Sequence, residues 1–251
     1  TKLINGILSK SEKCEHYEFS FEAHPNNTTK EHLQTLYDLG FRRNSFGVQD
    51  YDPKVQKTIN RIQPFETVKE VTDWSREIGY TSISQDLVFG LPHQTKASII
   101  DTINKTKMLK PDRIAFYSYA HVPWKSKSQR GYSEADLPTG EAKRKLYEIG
   151  KIALEKLGYI EIGMDHFALK SDDLYKAFEA KTMHRNFMGY TSFHTDLLIG
   201  LGTSAISDAW TAFAQNEKTA PEHENKTDFL CIFLEDNHQV QGSRKASQPC
   251  R

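Results

Sequence analysis

Cysteine is scarce: Cys14, Cys231 and Cys250 are the only three in 251 residues, and no two of them share a disulfide or metal-ligand spacing. A thiol-only metal site and a disulfide-stapled scaffold are therefore not expected, and isolated cysteines suit a reducing, cytoplasmic setting. Net charge is missing too. Lys plus Arg and Asp plus Glu number 33 each, so no overall field draws the chain to nucleic acid or an anionic surface, and a small-molecule partner is expected. No apolar run approaches the ~20 residues of a membrane span, and mean hydropathy is −0.63. No glycine-rich phosphate loop follows any strand-like segment. The opening Thr-Lys-Leu-Ile-Asn-Gly has neither an initiator methionine nor a leader pattern and reads as the middle of something longer.

What the sequence does contain is a repeated punctuation. Leu39-Gly40-Phe41, Ile78-Gly79-Tyr80 and Leu157-Gly158-Tyr159 each close a segment of helical periodicity. Glycine past the last turn adopts a left-handed conformation cheaply, and the aromatic after it can pack back on the helix. The helices behind these stops show Leu33, Leu36 and Leu39, then Val68, Val71, Ser75 and Ile78 after Pro64, and then Leu146, Ile149, Ala153 and Leu157. Thr28 with Glu31 suggests a capping box for the first. Further helical runs cover 53–60, 95–109 and 172–181. Between them, segments 17–21, 45–48, 82–89 and 113–119 are rich in aromatic and β-branched residues and read as strands. Strand and helix alternating through short connections imply parallel strands and right-handed crossovers, in an open doubly wound sheet or a β/α barrel. The missing phosphate loop favours the barrel. After Tyr159 the pattern changes to the strand-like Ile160-Glu161-Ile162-Gly163 and the glycine-rich 200–204, which suggests a smaller C-terminal module. From about Lys218 the chain is polar and irregular.

In β/α barrels the working groups sit at the C-terminal ends of the strands. Here those ends carry Glu22, Gln49-Asp50, Asp86 and Tyr119-Ala120-His121. Each has an ordinary alternative: Glu22 can cap a turn, Gln49 can satisfy loop backbone, and Arg61 can be a plain helix-end cation. Asp86 is harder to dismiss, because an unpaired carboxylate inside the apolar run 83–89 is expensive. Counting alternately from Leu87 and Phe89 puts it on the face opposite them. The ten histidines show no ligand spacing with a carboxylate, so no metal site is assigned. A metal-dependent hydrolase using Glu22, Asp86 and His121 has a thin ligand set.

The segments 46–50 (Phe-Gly-Val-Gln-Asp), 86–92 (Asp-Leu-Val-Phe-Gly-Leu-Pro), 119–123 (Tyr-Ala-His-Val-Pro), 162–168 (Ile-Gly-Met-Asp-His-Phe-Ala) and 184–191 (His-Arg-Asn-Phe-Met-Gly-Tyr-Thr) resemble, in order, those of the oxygen-independent coproporphyrinogen III oxidases of the radical S-adenosylmethionine superfamily. The resemblance covers about residues 15 to 217. It implies an α/β fold, an incomplete (β/α)6 barrel without its first strands (1–135) followed by a small C-terminal domain (136–217), with a divergent tail at 218–251. It also implies oxidative decarboxylation of coproporphyrinogen III to protoporphyrinogen IX with S-adenosylmethionine, a [4Fe-4S] cluster and a reducing electron donor. In that family the positions matching Glu22, Gln49, Arg61, Asp86, Ala120 and Ile206 contact S-adenosylmethionine. Arg185, by its charge and motif, is a candidate for the substrate's propionates. The family's C-x-x-x-C-x-x-C cluster loop has no counterpart in these residues, so the chain reads as lacking cluster ligands, metal none, and as inactive alone. Without preceding strands its first strand would be an open edge, which predicts weak stability or association. A heme- or tetrapyrrole-binding chaperone of the same superfamily is the alternative reading.

Overall fold

The structure, a computed structural model, describes residues 1–11, 13–15 and 17–218. It divides into two compact units, the first running Thr1–Glu179 and the second beginning at Ala180. The tail expected to be irregular lies, from 219 onward, outside the described residues.

The first unit follows the alternation read from the sequence. After a short helix α1 (Lys2–Leu8) come β1 (Ser20–Ala23), α2 (Lys30–Asp38), β2 (Arg43–Gln49), α3 (Pro53–Thr58), α4 (Phe65–Ile78), β3 (Ser82–Phe89), α5 (Lys96–Leu109), β4 (Arg113–Ser118) and α6 (Gly140–Lys156). The three glycine stops behave as expected: Gly40, Gly79 and Gly158 have φ of 103°, 111° and 92°. In each, the aromatic amide that follows reaches back five residues, Phe41 to the Leu36 carbonyl, Tyr80 to Ser75 and Tyr159 to Leu154. This is the hydrogen-bond pattern that closes a helix through a left-handed residue. The three rings enter the core at 8%, 3% and 3% exposure. The capping box is one residue later than expected. Thr29 accepts from the His32 amide and the His32 ring nitrogen accepts from the Thr29 amide, while Thr28 donates instead to the His24 carbonyl. An imidazole nitrogen here does the work usually given to a glutamate. The first strand also starts later than 17–21, because pairing with β2 begins only at Ser20 opposite Arg43.

The sheet order is β1-β2-β3-β4-β6-β5. The first four strands are parallel neighbours in chain order. Right-handed crossovers that always step the same way put every helix on one side, as in a barrel wall, whereas a doubly wound sheet reverses direction. Accordingly α2 packs beside α4, α4 beside α5 and α5 beside α6. The inward residues of these helices, Leu33, Val68, Ile99 and Leu154, share one core with Phe46, Ile83, Leu87, Ile114 and Phe116 from the strands. Gly150 is needed because a β-carbon there would meet the Phe116 ring at 2.3 Å.

Two strands not assigned to the sheet from sequence extend it. β5 (Ile160–Gly163) and β6 (His166–Ala168) form an antiparallel pair that adds to β4. Residues 136–179, expected to lie in a separate C-terminal domain, thus contribute α6, β5, β6 and α7 (Asp173–Glu179) to the first compact unit, and the division by packing falls at 179/180 instead of 135/136. A buried ion pair anchors this junction: Arg113 Nε donates to Asp172 Oδ1 at 2.7 Å, and the other Asp172 oxygen accepts from Ser82 at 2.7 Å.

The second unit contains two antiparallel hairpins, β7 (His184–Asn186) with β8 (Gly189–Thr191) and β9 (Ile206–Asp208) with β10 (Phe213–Gln215). Inside it, the His194 ring stacks on Trp210 and the His184 ring meets both. Phe187, Met188, Leu197, Ile199, Leu201 and Phe213 are exposed.

Candidate functional site

The four parallel strands carry apolar side chains on the helix side and a different set on the other. On β2, Asn44, Phe46 and Val48 are buried while Arg43, Ser45, Gly47 and Gln49 alternate with them. On β3, Ile83, Leu87 and Phe89 enter the core, and Asp86 points the opposite way. Register places Glu22 of β1 opposite Ser45, and Gly47 opposite Asp86. Adjacent strands therefore bring Glu22, Ser45, Gly47 and Asp86 together on the face away from the helices.

Asp86 is the electrostatic centre of this face. Burial, followed by the repulsion of Glu22, raises its pKa to about 6, against a hydrogen bond from Ser45 Oγ at 3.1 Å and the attraction of Arg61. A carboxyl held in this range passes between a neutral donor and an anionic acceptor close to neutral pH, a property common at functional sites.

Arg61 reaches this face from the loop after α3. The helix ends through Asn60, whose φ is +53°, and the Arg61 amide bonds back to the Gln56 carbonyl at 2.9 Å. The guanidinium then folds over β2: Nη2 donates to the Gly47 carbonyl at 2.8 Å and Nε to Gln63 Oε1 at 3.2 Å. It is half-buried, and burial pulls its pKa below the usual guanidinium value while Asp86 opposes the shift. Gly47 is glycine for a local reason. A β-carbon there would stand 2.7 Å from Arg61 Nη2 and 3.0 Å from Gln49 Nε2, so both polar ends lie over it. Gln49 sits at an irregularity in the β2–β3 register, with φ of +70°. Such bulges re-aim a strand-end side chain. His24 borders the group; its pKa is lowered by burial and by the Arg61 charge, and its ring accepts from the Asn26 amide.

Glu22, Gln49, Arg61 and Asp86, singled out from sequence, are thus brought to one face. Asp50, which ends the same strand, is a structural anchor. It is wholly buried, accepts from the Asp52 amide at 2.6 Å and the Thr102 hydroxyl at 3.1 Å, and also holds Gln94. Ala120 lies just past β4 at the same end of the sheet, exposed, with its carbonyl accepting from Gln129. Its neighbour His121 is drawn aside into an aromatic group with Tyr119 and Tyr132, at the edge of a cavity of about 380 Å³ that Gly90, Leu137 and Lys143 also line. Among the described residues no group of three or more His, Cys, Asp or Glu is arranged to hold a metal ion. Ile206 lies in the second unit, at the start of β9, where Gly200 approaches its backbone closely enough that a β-carbon would stand 2.8 Å away. Sequence reasoning missed Ser45, Gly47 and Gln63. The period-two alternation of 43–49 marks the first two as sharing the face of Gln49, whereas no pattern marks Gln63.

A one-way parallel sheet with helices on one side and polar groups at its strand ends defines a class, and residues 2–106 match the family model of the Radical SAM superfamily. The solved coproporphyrinogen III oxidase HemN from Escherichia coli, a radical SAM enzyme, superposes with a TM-score of 0.86 at 36% identity, over 90% of this chain and 52% of that one. Curated proteins similar to the chain include oxygen-independent coproporphyrinogen III oxidases. The Helicobacter pylori protein is 44% identical over 211 residues, 84% of this chain and 46% of its own length. That of Synechocystis is 40% identical over 226 residues, 90% and 48% respectively. The chain spans about half the length of the curated relatives it matches.

Proteins of this superfamily use S-adenosylmethionine and a [4Fe-4S] cluster. The polar face suits the first, with carboxylates for an ammonium and ribose hydroxyls, a guanidinium for a carboxylate and an amide between them. The second does not fit these residues. Three cysteines spread over positions 14, 231 and 250 do not supply a three-thiolate loop.

Proposed function

We propose that the chain provides the S-adenosylmethionine-binding wall of an oxygen-independent coproporphyrinogen III oxidase, the enzyme that decarboxylates two propionates of coproporphyrinogen III to give protoporphyrinogen IX. The observation that carries this reading is the convergence of Glu22, Gln49, Arg61 and Asp86 on one sheet face, centred on a carboxyl raised to about 6. Bound S-adenosylmethionine supplies the superfamily's adenosyl chemistry.

The chain's own residues bind and orient. Arg61 presents a guanidinium toward a ligand carboxylate. Glu22 and Asp86 accept from an ammonium or from hydroxyls, and Gln49 can donate or accept. Ser45 fixes the Asp86 rotamer through its hydrogen bond. Ala120 is assigned as an apolar flank of the adenine, and Arg185 as a partner for substrate carboxylates. The cluster and a reducing electron donor belong to the proposed whole enzyme; these 251 residues do not carry the cluster's ligands.

The test is equilibrium dialysis of the chain with radiolabelled S-adenosylmethionine. Saturable binding at one site is expected, with at least tenfold loss in Arg61→Ala. Absence of saturable binding, or binding indifferent to Arg61, would contradict the proposal. Anaerobic reconstitution of the same chain is expected to leave it without a stoichiometric four-iron cluster.

A further inference from the structure

Gln63 is wholly buried, yet both polar atoms of its side chain are used, Nε2 on the strand that carries the site and Oε1 on Arg61. Nε2 donates to the carbonyls of Gly47 at 2.7 Å and Val48 at 3.2 Å, and Oε1 accepts from Arg61 Nε at 3.2 Å. Its own position is fixed by a second buried amide. Gln56 accepts from the Gln63 amide at 3.0 Å and donates to the carbonyls of Gln63 and Asp50, at 2.7 and 2.8 Å. The loop between α3 and α4 is thus splinted to the end of β2 through side-chain amides.

The consequence falls on Arg61. A guanidinium can take a carboxylate across two edges: the side edge, made of Nε and one Nη2 hydrogen, or the end edge, made of Nη1 and the other Nη2 hydrogen. Here Gln63 Oε1 takes Nε and the Gly47 carbonyl takes Nη2, which closes the side edge. Nη1 has no hydrogen-bond partner among the described residues.

We infer that Gln63 is a positioning residue that blocks the side edge of Arg61 and turns its end edge outward, making Arg61 selective for a ligand carboxylate approaching end-on. This rests on the reading that S-adenosylmethionine is the ligand, and it adds a specificity device set by a residue that does not touch the ligand. Replacing Gln63 by an apolar side chain frees Nε, lets the guanidinium rotate and takes one donor from each of the Gly47 and Val48 carbonyls, which keep those of Arg61 Nη2 and the Asp50 amide.

Two readouts test this on the full chain. The first needs no ligand: the Arg61 Nε–H resonance, identified by its loss in Arg61→Lys, is expected to be protected from solvent exchange in the wild type. Protection should persist in Gln63→Glu, which keeps the accepting oxygen, and vanish in Gln63→Leu. The second compares binding of S-adenosylmethionine with its decarboxylated form. The wild type is expected to prefer the carboxylate ligand by at least tenfold. Gln63→Leu should lose most of that preference, and Gln63→Leu combined with Arg61→Ala should lose no more than Arg61→Ala alone. Full discrimination in Gln63→Leu, or an unprotected Nε in the wild type, overturns the inference. If the wild type binds neither ligand while Nε is protected only when residue 63 offers its oxygen, the ligand reading fails and the positioning role of Gln63 stands. Gln63→Glu also serves as the folding control, since it perturbs the same buried position without removing the bond to Arg61.

Discussion

The two faces of the parallel sheet are built from the same strands, one residue apart, and do opposite things. The helix side holds Phe46, Ile83, Leu87, Ile114 and Phe116, all at or near zero exposure, and each such side chain contributes about 1.5–3 kcal/mol by burial. The other side holds Glu22, Ser45, Gly47 and Asp86, where a carboxyl is raised to about 6 and a second acid lies nearby. One face stabilises the fold. The other gives up stability to hold charge where a ligand can meet it.

Three substitutions sharpen or break that contrast. Phe46→Ala removes a wholly buried ring from the helix side and should destabilise the chain by about 3–5 kcal/mol, read by urea denaturation. Asp86→Asn should act in the opposite direction. Asp86 is neutral in both states at low pH. As pH rises through the ordinary carboxylate value of 3.8 the unfolded chain releases its proton while the folded chain holds it until about pH 6, so the group lowers stability across that window and by a constant amount above it. Without ligand, Asp86→Asn should therefore be more stable than wild type by about 3 kcal/mol at pH 8, a difference that vanishes as pH falls below about 3; a mutant less stable at pH 8 would show that the charge is compensated. Gly47→Ala should have the smallest effect on folding, below about 1 kcal/mol, because the added carbon meets only the movable ends of Arg61 and Gln49. It should still weaken S-adenosylmethionine binding several-fold in dialysis, by displacing both.

The helix side was legible in the sequence because burial imposes a period. Leu87 and Phe89 announced their face, and Gly40, Gly79 and Gly158 announced the helix ends by a conformation few other residues accept. Asp86 was found by the same count, as the residue that broke it. Where a local signal had substitutes the reading slipped: His32 did the capping expected of Glu31, since any acceptor at that spacing serves. The strand pair β5–β6 was placed in a separate module because its attachment to β4 is a long-range pairing that no local pattern encodes. Gln63 was invisible for a related reason. A buried glutamine bonded to backbone carbonyls 15 and 16 residues earlier in the chain has the same sequence appearance as a surface one.

The central claim is that the polar sheet face is the ligand-binding face, and the most direct measurement of it is a crystal structure of the chain with S-adenosylmethionine. The account predicts the ligand on the side away from the helices, its carboxylate across the Nη1–Nη2 edge of Arg61 and its hydroxyls or ammonium within hydrogen-bond distance of Glu22 and Asp86. A ligand bound elsewhere, with Arg61 and Asp86 untouched, would contradict it.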